Sequence, residues 1–320
     1  MISIIIPMFN AEKNILPLIE SLKTQSKHDF EVIIVDDGST DCSREIVESK
    51  KTIVTFPVTL ISQKNAGPAT ARNVGVEHAK GEIIIFLDSD CITPPNWIEE
   101  MIRPLVGKVA GCNCGYQTKN HESLIARYIG FEIARRHERL TKNNIDTIGS
   151  YSASFVKDIF QEAGGFNTDY RNASGEDFDL SFNIHKLGFT LVFTDDTFVY
   201  HYHPDTLRKF LKQQFYRGYW RVPLYTMNRE KIYRGDSYTG IEPQVQGVFS
   251  LTAIVAIPLS FISPYSLALV LLLPLSNIPL GIWTFKKERK FIVIAPLIAS
   301  LRSFAGTFGA LYYFARKVIP

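Results

Sequence analysis

Acidic residues fall in pairs along this chain, and the pairs are where chemistry can start. Asp88 and Asp90 stand one residue apart in "GEIIIFLDSDC", where a branched apolar run ends. Two carboxylates at that spacing suit a hard divalent cation such as Mg²⁺ or Mn²⁺, which takes oxygen ligands, keeps waters and bridges to phosphates. One acid can take the ion while the other holds a hydroxyl or a bound water. Asp36 and Asp37 close a second apolar run, "FEVIIVDDGST". Glu176 and Asp177 follow Gly175 in a third stretch. Each pair also has a plainer reading: a solvated turn for the first, a turn or cap for the second, favourable helix-end charge for the third. His201 and His203 follow the run "TFVY". His201 stands nearest its end, where a metal ligand and a structural histidine are both open.

The elements that must position these residues alternate. "SIIIP", "FEVIIVDDGS", "VTLIS" and "EIIIFLDSD" read as strands, the first ending at Pro7. Between them, residues 11–25, "STDCSREIVES" and "GPATARNVGVEHA" read as helices, and "PPNWIEEMIRPL" begins another with prolines in its first turn. Unbroken apolar strands alternating with helices predict a mostly parallel α/β sheet flanked by helices on both faces. Ligands of such sheets sit beyond the carboxyl ends of the strands. All four aspartates of the first two pairs fall there, so they need not be dry. Further on, "VAGCNCGYQT" and "FTLVFT" read as strands and residues 122–140 as a long helix. "SGEDFDLSFNIHKLG" reads as a helix with Ser174 as its cap and Gly188 as its stop.

The 320 residues give room for one large domain or two ordinary ones, and a net charge of +3 offers no argument for nucleic acid. A mean hydropathy of +0.02 averages a mixed, soluble-looking first part and a strongly apolar stretch from Gly247 onward. "MISIIIPMFN" lacks the charged leader and long apolar core of a signal peptide. Cys112 and Cys114 alternate along a strand, so reduced, packed thiols are expected rather than a disulfide frame or a zinc site. Both features point to the cytosolic side of a membrane.

"ISIIIPMFN", "VIIVDDGSTD", "KNAGPATARNVG", "FLDSD" and "GEDFDL" occur in the order found in the family 2 inverting glycosyltransferases, and over residues 1–205 the chain resembles them. The resemblance implies the GT-A nucleotide-diphospho-sugar transferase fold. It implies that Pro7 and Phe9 line a nucleobase pocket, that Asp36 or Asp37 accepts a hydrogen bond from the base, and that Arg72 lies near the nucleotide. It implies that Asp88 and Asp90 bind the metal–diphosphate–ribose unit, with His201 as a further ligand. Asp177 looks like the catalytic base, with Glu176 in support. "GSYSASF" lies where the family shapes its sugar and acceptor sites, though strand packing explains small residues there equally well.

The tail has three apolar stretches. Gly247–Ser263 holds 17 residues without a charge, about 26 Å as a helix and short for a ~30 Å hydrocarbon core. Tyr265–Phe285 has 21, enough to cross. Phe291–Ala315 is apolar apart from Arg302, whose insertion costs roughly 2.5–3.5 kcal/mol unless it is paired, so this stretch crosses, re-enters or lies at the interface. Pro258, Pro264, Pro274 and Pro279 suit membrane helices better than soluble ones. Basic "NREKIYRG" and "KKERK" flank the first two stretches, and two crossings turning at Ser263-Pro264 leave both basic segments on one side, the cytoplasmic one. The segment from Asp205 to Tyr225 suits an interfacial helix or an ordinary amphipathic one. Processive members of the family carry Gln-x-x-Arg-Trp here. This chain has Gln214-Phe-Tyr-Arg217-Gly218, which favours transfer of a single sugar.

The expectation is therefore a catalytic domain over 1–205, interfacial linker helices over 206–240, and a membrane region with two to three hydrophobic helices over 241–320. The protein is expected in the cell membrane, multi-pass, with its catalytic domain in the cytoplasm. It would move a sugar from a nucleotide-sugar donor, UDP-linked first and GDP-linked as the alternative, to a lipid-linked or membrane-proximal glycan acceptor. The cofactor expected is Mg²⁺ or Mn²⁺; membrane lipids are partners and nucleic acid is not. A processive synthase subunit and a non-catalytic nucleotide-sugar-binding protein are the alternatives. A nucleotidyltransferase would need a glycine-rich basic phosphate loop near the first strand, and "PMFNAEKN" is not one.

Overall fold

The computed structural model describes residues 1–140, 144–170 and 175–318, so the Ser174 cap lies outside the described residues. The chain divides into two units, one formed by 1–119 and 137–202, the other by 120–136 and 203 onward.

The first unit opens with β1 (Ile2–Met8), α1 (Ile15–Leu22), β2 (Phe30–Asp36), α2 (Ser43–Lys50), β3 (Val58–Ser62), α3 (Pro68–His78) and β4 (Ile83–Leu87). Then come β5 (Cys91–Ile92), α4 (Trp97–Ile102) and β6 (Val109–Thr118). The chain leaves for α5 (Leu124–His137), nearly all of which belongs to the second unit. It returns as β7 (Ser152–Val156), α6 (Lys157–Glu162), α7 (Glu176–Lys186) and β8 (Thr190–His201).

The eight strands form one sheet in the order β3-β2-β1-β4-β7-β6-β8-β5. β1, β2, β3 and β4 pair in parallel, as does β6 with β8. β7 runs antiparallel to both β4 and β6, and β5 antiparallel to β8. The sheet is thus mixed, and more so than the strand–helix alternation predicts. The physical reason is that β7 starts at the end where β4 and β6 finish, with Ser152 opposite Leu87, so no return crossover is needed. The run-in to β7 consequently lies beside Asp88, whose N–H donates to the Tyr151 carbonyl at 3.0 Å.

Side chains alternate across the sheet into two cores. Ile4, Ile6, Val32, Ile34 and Leu87 pack on one face with Ile15, Leu18 and Trp97. Ile5, Ile33, Val35, Ile84 and Phe86 pack on the other with Ala71, Phe155 and Phe166. Both faces are covered, which is why these strands read as unbroken apolar runs. Gly75 lets α3 close on β1: a Cβ there would lie 2.3 Å from the Ile5 Cγ2.

The second unit contains α5, α8 (Leu207–Met227), α9 (Glu230–Arg234), α10 (Glu242–Leu259), a 3₁₀ segment over Pro264–Leu271, α11 (Leu272–Ser276), α12 (Ile278–Phe285) and α13 (Phe291–Val318). α8 lies along α13 through glycines. A Cβ at Gly218 would sit 1.9 Å from the Gly306 carbonyl oxygen, and one at Gly309 would sit 1.9 Å from that of Phe215. Small residues that let two backbones meet mark helix contacts in membranes. Among the described residues two helical stretches are long and apolar enough to cross a bilayer, Pro264–Phe285 and Phe291–Lys317. The first is broken near its prolines. The second is one continuous helix, and its Arg302 is paired: the guanidinium meets the Glu132 carboxylate of α5 and the Gln246 side chain of α10.

Candidate active site

The carboxyl ends of β1, β2 and β4 carry most of the expected residues. Near the end of β1 Pro7 is half-buried, and just past it Phe9 is 51% exposed, an open aromatic face at the rim. Asn10 follows in the left-handed region at φ 51°. It ties this loop to the one after β2: its N–H donates to the Ser39 Oγ at 3.0 Å, and its Oδ1 accepts from the Thr40 N–H at 2.8 Å. Asp36 and Asp37 are both buried at the end of β2. Asp36 accepts from the Ser39 N–H at 2.9 Å. Asp37 accepts three hydrogen bonds, from the Gln63 side chain at 2.7 Å, the Ala66 N–H at 2.8 Å and the Gly67 N–H at 2.9 Å. Asp37 therefore holds the loop that enters α3 through Gly67, whose φ of 95° only glycine adopts at ease.

From α3, Arg72 reaches under the site and is 2% exposed. Its Nη2 donates to the Asp88 Oδ1 at 2.8 Å and its Nη1 to the Glu176 Oε1 at 3.0 Å. Burial works against this charge, but Asp88 and Glu176 outweigh it, so the guanidinium is held above its ordinary pKa. One planar fork thus joins the end of β4 to the first turn of α7, residues far apart in sequence. Glu176 is 1% exposed, while Asp177 beside it is partly open. Asp177 accepts from the Phe178 N–H at 2.9 Å and from the Ser150 N–H at 3.4 Å.

Asp90 lies past the β4 end and faces His201 at the end of β8, with Oδ1 3.3 Å from Nε2. That buried Oδ1 accepts no hydrogen bond. Burial pushes the Asp90 carboxyl above its ordinary pKa; His201 opposes this and the Asp88 charge adds to it. The ligand atoms of Asp90, Cys91 and His201 lie within 4.8 Å of one another. An undonated buried carboxylate oxygen beside an imidazole fits a divalent cation. The Cys91 thiol fits less well, since burial raises its pKa well above normal and it points to the Tyr151 carbonyl at 3.8 Å. Mg²⁺ and Mn²⁺ prefer oxygen and imidazole donors to a protonated thiol.

Several positions had no sequence signal. Tyr116 sets its ring edge-on to His201, centroids 5.0 Å apart, and stacks on Tyr151. Trp97 Nε1 donates to the Ser152 Oγ at 2.9 Å, and Asn113 Nδ2 donates to the Gly149 and Ser152 carbonyls. Ser152 and Ser154 are fully buried in β7, so these small residues of "GSYSASF" serve strand packing, while Ser150 bonds Asp177. His203 lies in the second unit, its backbone bound by Asn120. His185 is structural, its two ring nitrogens at 3.1 and 3.0 Å from the Phe189 and Ile145 carbonyls.

The carboxyl edge of this sheet thus gathers acids, a buried arginine and an imidazole. The profile of glycosyl transferase family 2 matches residues 3–162, and that of glycosyl transferase family group 2 matches residues 83–309. The chain belongs to glycosyltransferase family 2. Glycosyltransferase AglE of Haloferax volcanii is 28% identical over 240 residues, covering 73% of this chain and 77% of that protein. Putative glycosyltransferase EpsH of Bacillus subtilis is 31% identical over 187 residues, 57% of this chain and 50% of that one. Among solved structures, the mannosyltransferase PcManGT of Pyrobaculum calidifontis, in complex with GDP-Man and Mn²⁺, superposes with a TM-score of 0.63 at 18% identity, covering 99% of this chain and 87% of that chain. TarS 1–349 of S. aureus with UDP-GlcNAc gives 0.51 at 18% identity, covering 99% and 92%. These likenesses show the GT-A fold.

Proposed function

We propose that this glycosyltransferase moves one sugar, with inversion, from a nucleotide-diphospho-sugar to a hydroxyl or phosphate of a lipid-linked or membrane-proximal acceptor. UDP is the favoured carrier and GDP the alternative, since relatives of this fold bind one or the other. The observation that carries the reading is the Arg72 fork, which brings Glu176 and its neighbour Asp177 to the same place as Asp88.

Phe9 and Pro7 offer a flat face to a base, with Asp36 or Asp37 as the acceptor beneath. Asp90 and His201 would hold Mg²⁺ or Mn²⁺, which when bound stabilises the charge growing on the departing diphosphate. Asp88, fixed by Arg72, faces the ribose and diphosphate. Asp177 takes the proton of the acceptor hydroxyl as that oxygen attacks the anomeric carbon from the side opposite the leaving group. One attack and one departure invert the centre. Glu176 is a positioning residue: it is buried, and it holds Arg72 rather than the substrate. Gly218 supports single transfer, because the tryptophan that processive members carry at this point has no room against the backbone of α13. We place the catalytic unit on the cytoplasmic side, the side that the basic "NREKIYRG" ahead of the apolar tail favours.

The test is incubation of membranes containing the protein with a panel of radiolabelled nucleotide sugars, then lipid extraction. Label is expected in the lipid fraction with one donor. Asp177→Asn is expected to lose about 10²–10⁴-fold in turnover while donor binding persists. Label in no fraction, or a variant as active as the parent, overturns the reading.

A further inference from the structure

The second unit contains a cavity of about 360 Å³ between α8, α10 and α13. Four arginines line it: Arg136, Arg217, Arg221 and Arg302. Among the described residues its lining contains no aspartate or glutamate. Behind it, Glu132 ion-pairs both Arg136 and Arg302. Glu132 itself stands outside the lining.

The polar part of the cavity is built rather than incidental. Gln246 is 8% exposed. Its Oε1 takes the Arg302 guanidinium and the Ser303 hydroxyl, the latter at 3.0 Å, and its Nε2 donates to the Asn277 Oδ1 at 2.8 Å. Three helices therefore fix the guanidinium of Arg302 in place. The other part is apolar, with Val222, Ile232, Ala310 and Phe314. The helices continue outward into exposed apolar residues, among them Val248, Val255, Phe308 and Leu311.

We propose that this cavity is a binding site for the phosphate headgroup of a membrane lipid, which the lipid-linked acceptor reading above would make the sugar acceptor or its carrier. Arginine matches phosphate because its planar fork gives two parallel donors to two oxygens. Arg302 stands on a helix long and apolar enough to cross a bilayer, where a charge is costly and marks a ligand site, and basic pockets beside such helices take lipid headgroups. The volume suits a headgroup and the first carbons of its chain. A carboxylate ligand would use the same charge, but four guanidinium groups in a lining without an acid favour a group carrying more than one negative charge. The apolar wall distinguishes a lipid from a free anion, which would leave that wall without a partner.

The test is thermal unfolding of the full-length protein in a neutral detergent with three additives at equal concentration: a polyprenyl monophosphate, the same polyprenol without phosphate, and inorganic phosphate. A ligand that binds only the folded state raises Tm. The polyprenyl monophosphate is expected to raise it, and the other two are not. Arg221→Gln and Arg217→Gln replace a half-buried and an exposed side chain that are not among the Glu132 ion pairs, and each is expected to weaken the response about tenfold in concentration. An equal shift from the alcohol overturns the phosphate site. The whole shift from inorganic phosphate overturns the lipid. Variants that melt normally yet respond like the parent overturn the assignment of the arginines. Since no turnover is read, a chain that binds without transferring sugar keeps this site and loses the transfer reading, and the reverse result does the opposite.

Discussion

Taking a guanidinium out of water costs several kcal/mol unless partners and geometry offset it. Arg72 is offset by carboxylates on both arms, at 2.8 and 3.0 Å. Removing it takes a guanidinium partner from the buried Glu176 and from Asp88. Arg72→Ala is expected to lower stability by about 3–5 kcal/mol, read as a drop in Tm, and to abolish transfer; an unchanged Tm would remove Arg72 from the centre of the site. The cysteines give a second expectation. Burial raises the thiols of Cys91 and Cys112 and pushes that of Cys114 up to about 12, whereas Cys42 is exposed. The thiolate is the reactive form. A thiol reagent at neutral pH is expected to modify Cys42 fast in the native protein and the other three only after unfolding. Fast loss of more than one thiol would contradict the packing of β6. Asp88, Asp90 and Asp177 were legible as residues because acids at strand or helix ends stand out in an apolar context. The work of Arg72, Tyr116 and Asp37 was not legible, since their partners lie across the fold.

At the level of elements, β1, β2 and β4 announce themselves because both faces of each strand are buried and the apolar runs are unbroken, while the edge strand β3 exposes Thr59 and Ser62. The reversal of β7 does not, because direction depends on where a strand begins, and "SASFV" reads the same either way. Two apolar runs late in the first unit, "FTLVFT" and "TFVY", join into the single strand β8, whose pairing with β6 shifts register between Cys114 and Gly115. A break in alternation at a bulge looks like a gap in sequence. The segment from Asp205 to Tyr225 resolves as α8, packed on α13 through Gly218 and Gly309. Gly218→Leu must push the two helices apart, and overpacking of this kind costs about 1–3 kcal/mol. A lower Tm in detergent for Gly218→Leu, with Gly247→Leu as the control where a Cβ meets nothing within 4 Å, is the expected pair of results. Equal effects at both positions would deny the close crossing.

Over the whole molecule, the expectation of an α/β part followed by apolar helices matches what is seen, and the two crossing-competent stretches are the second and third rather than the first and second. The third could not be judged from sequence because Arg302 finds Glu132 from a helix that precedes it by 170 positions. Glu132→Leu strips the counter-charge from both Arg302 and Arg136 and is expected to give about 3–5 kcal/mol of destabilisation, seen as aggregation on size exclusion after extraction. A monodisperse variant with the parental Tm would show that the arginines are solvated without it. The second unit is built from two separate lengths of chain, 120–136 and 203 onward. It is therefore not a cassette. Transplanting only the last hundred or so residues onto another enzyme would leave α5 behind, and with it the acid that Arg302 pairs with; a working graft would have to carry both pieces.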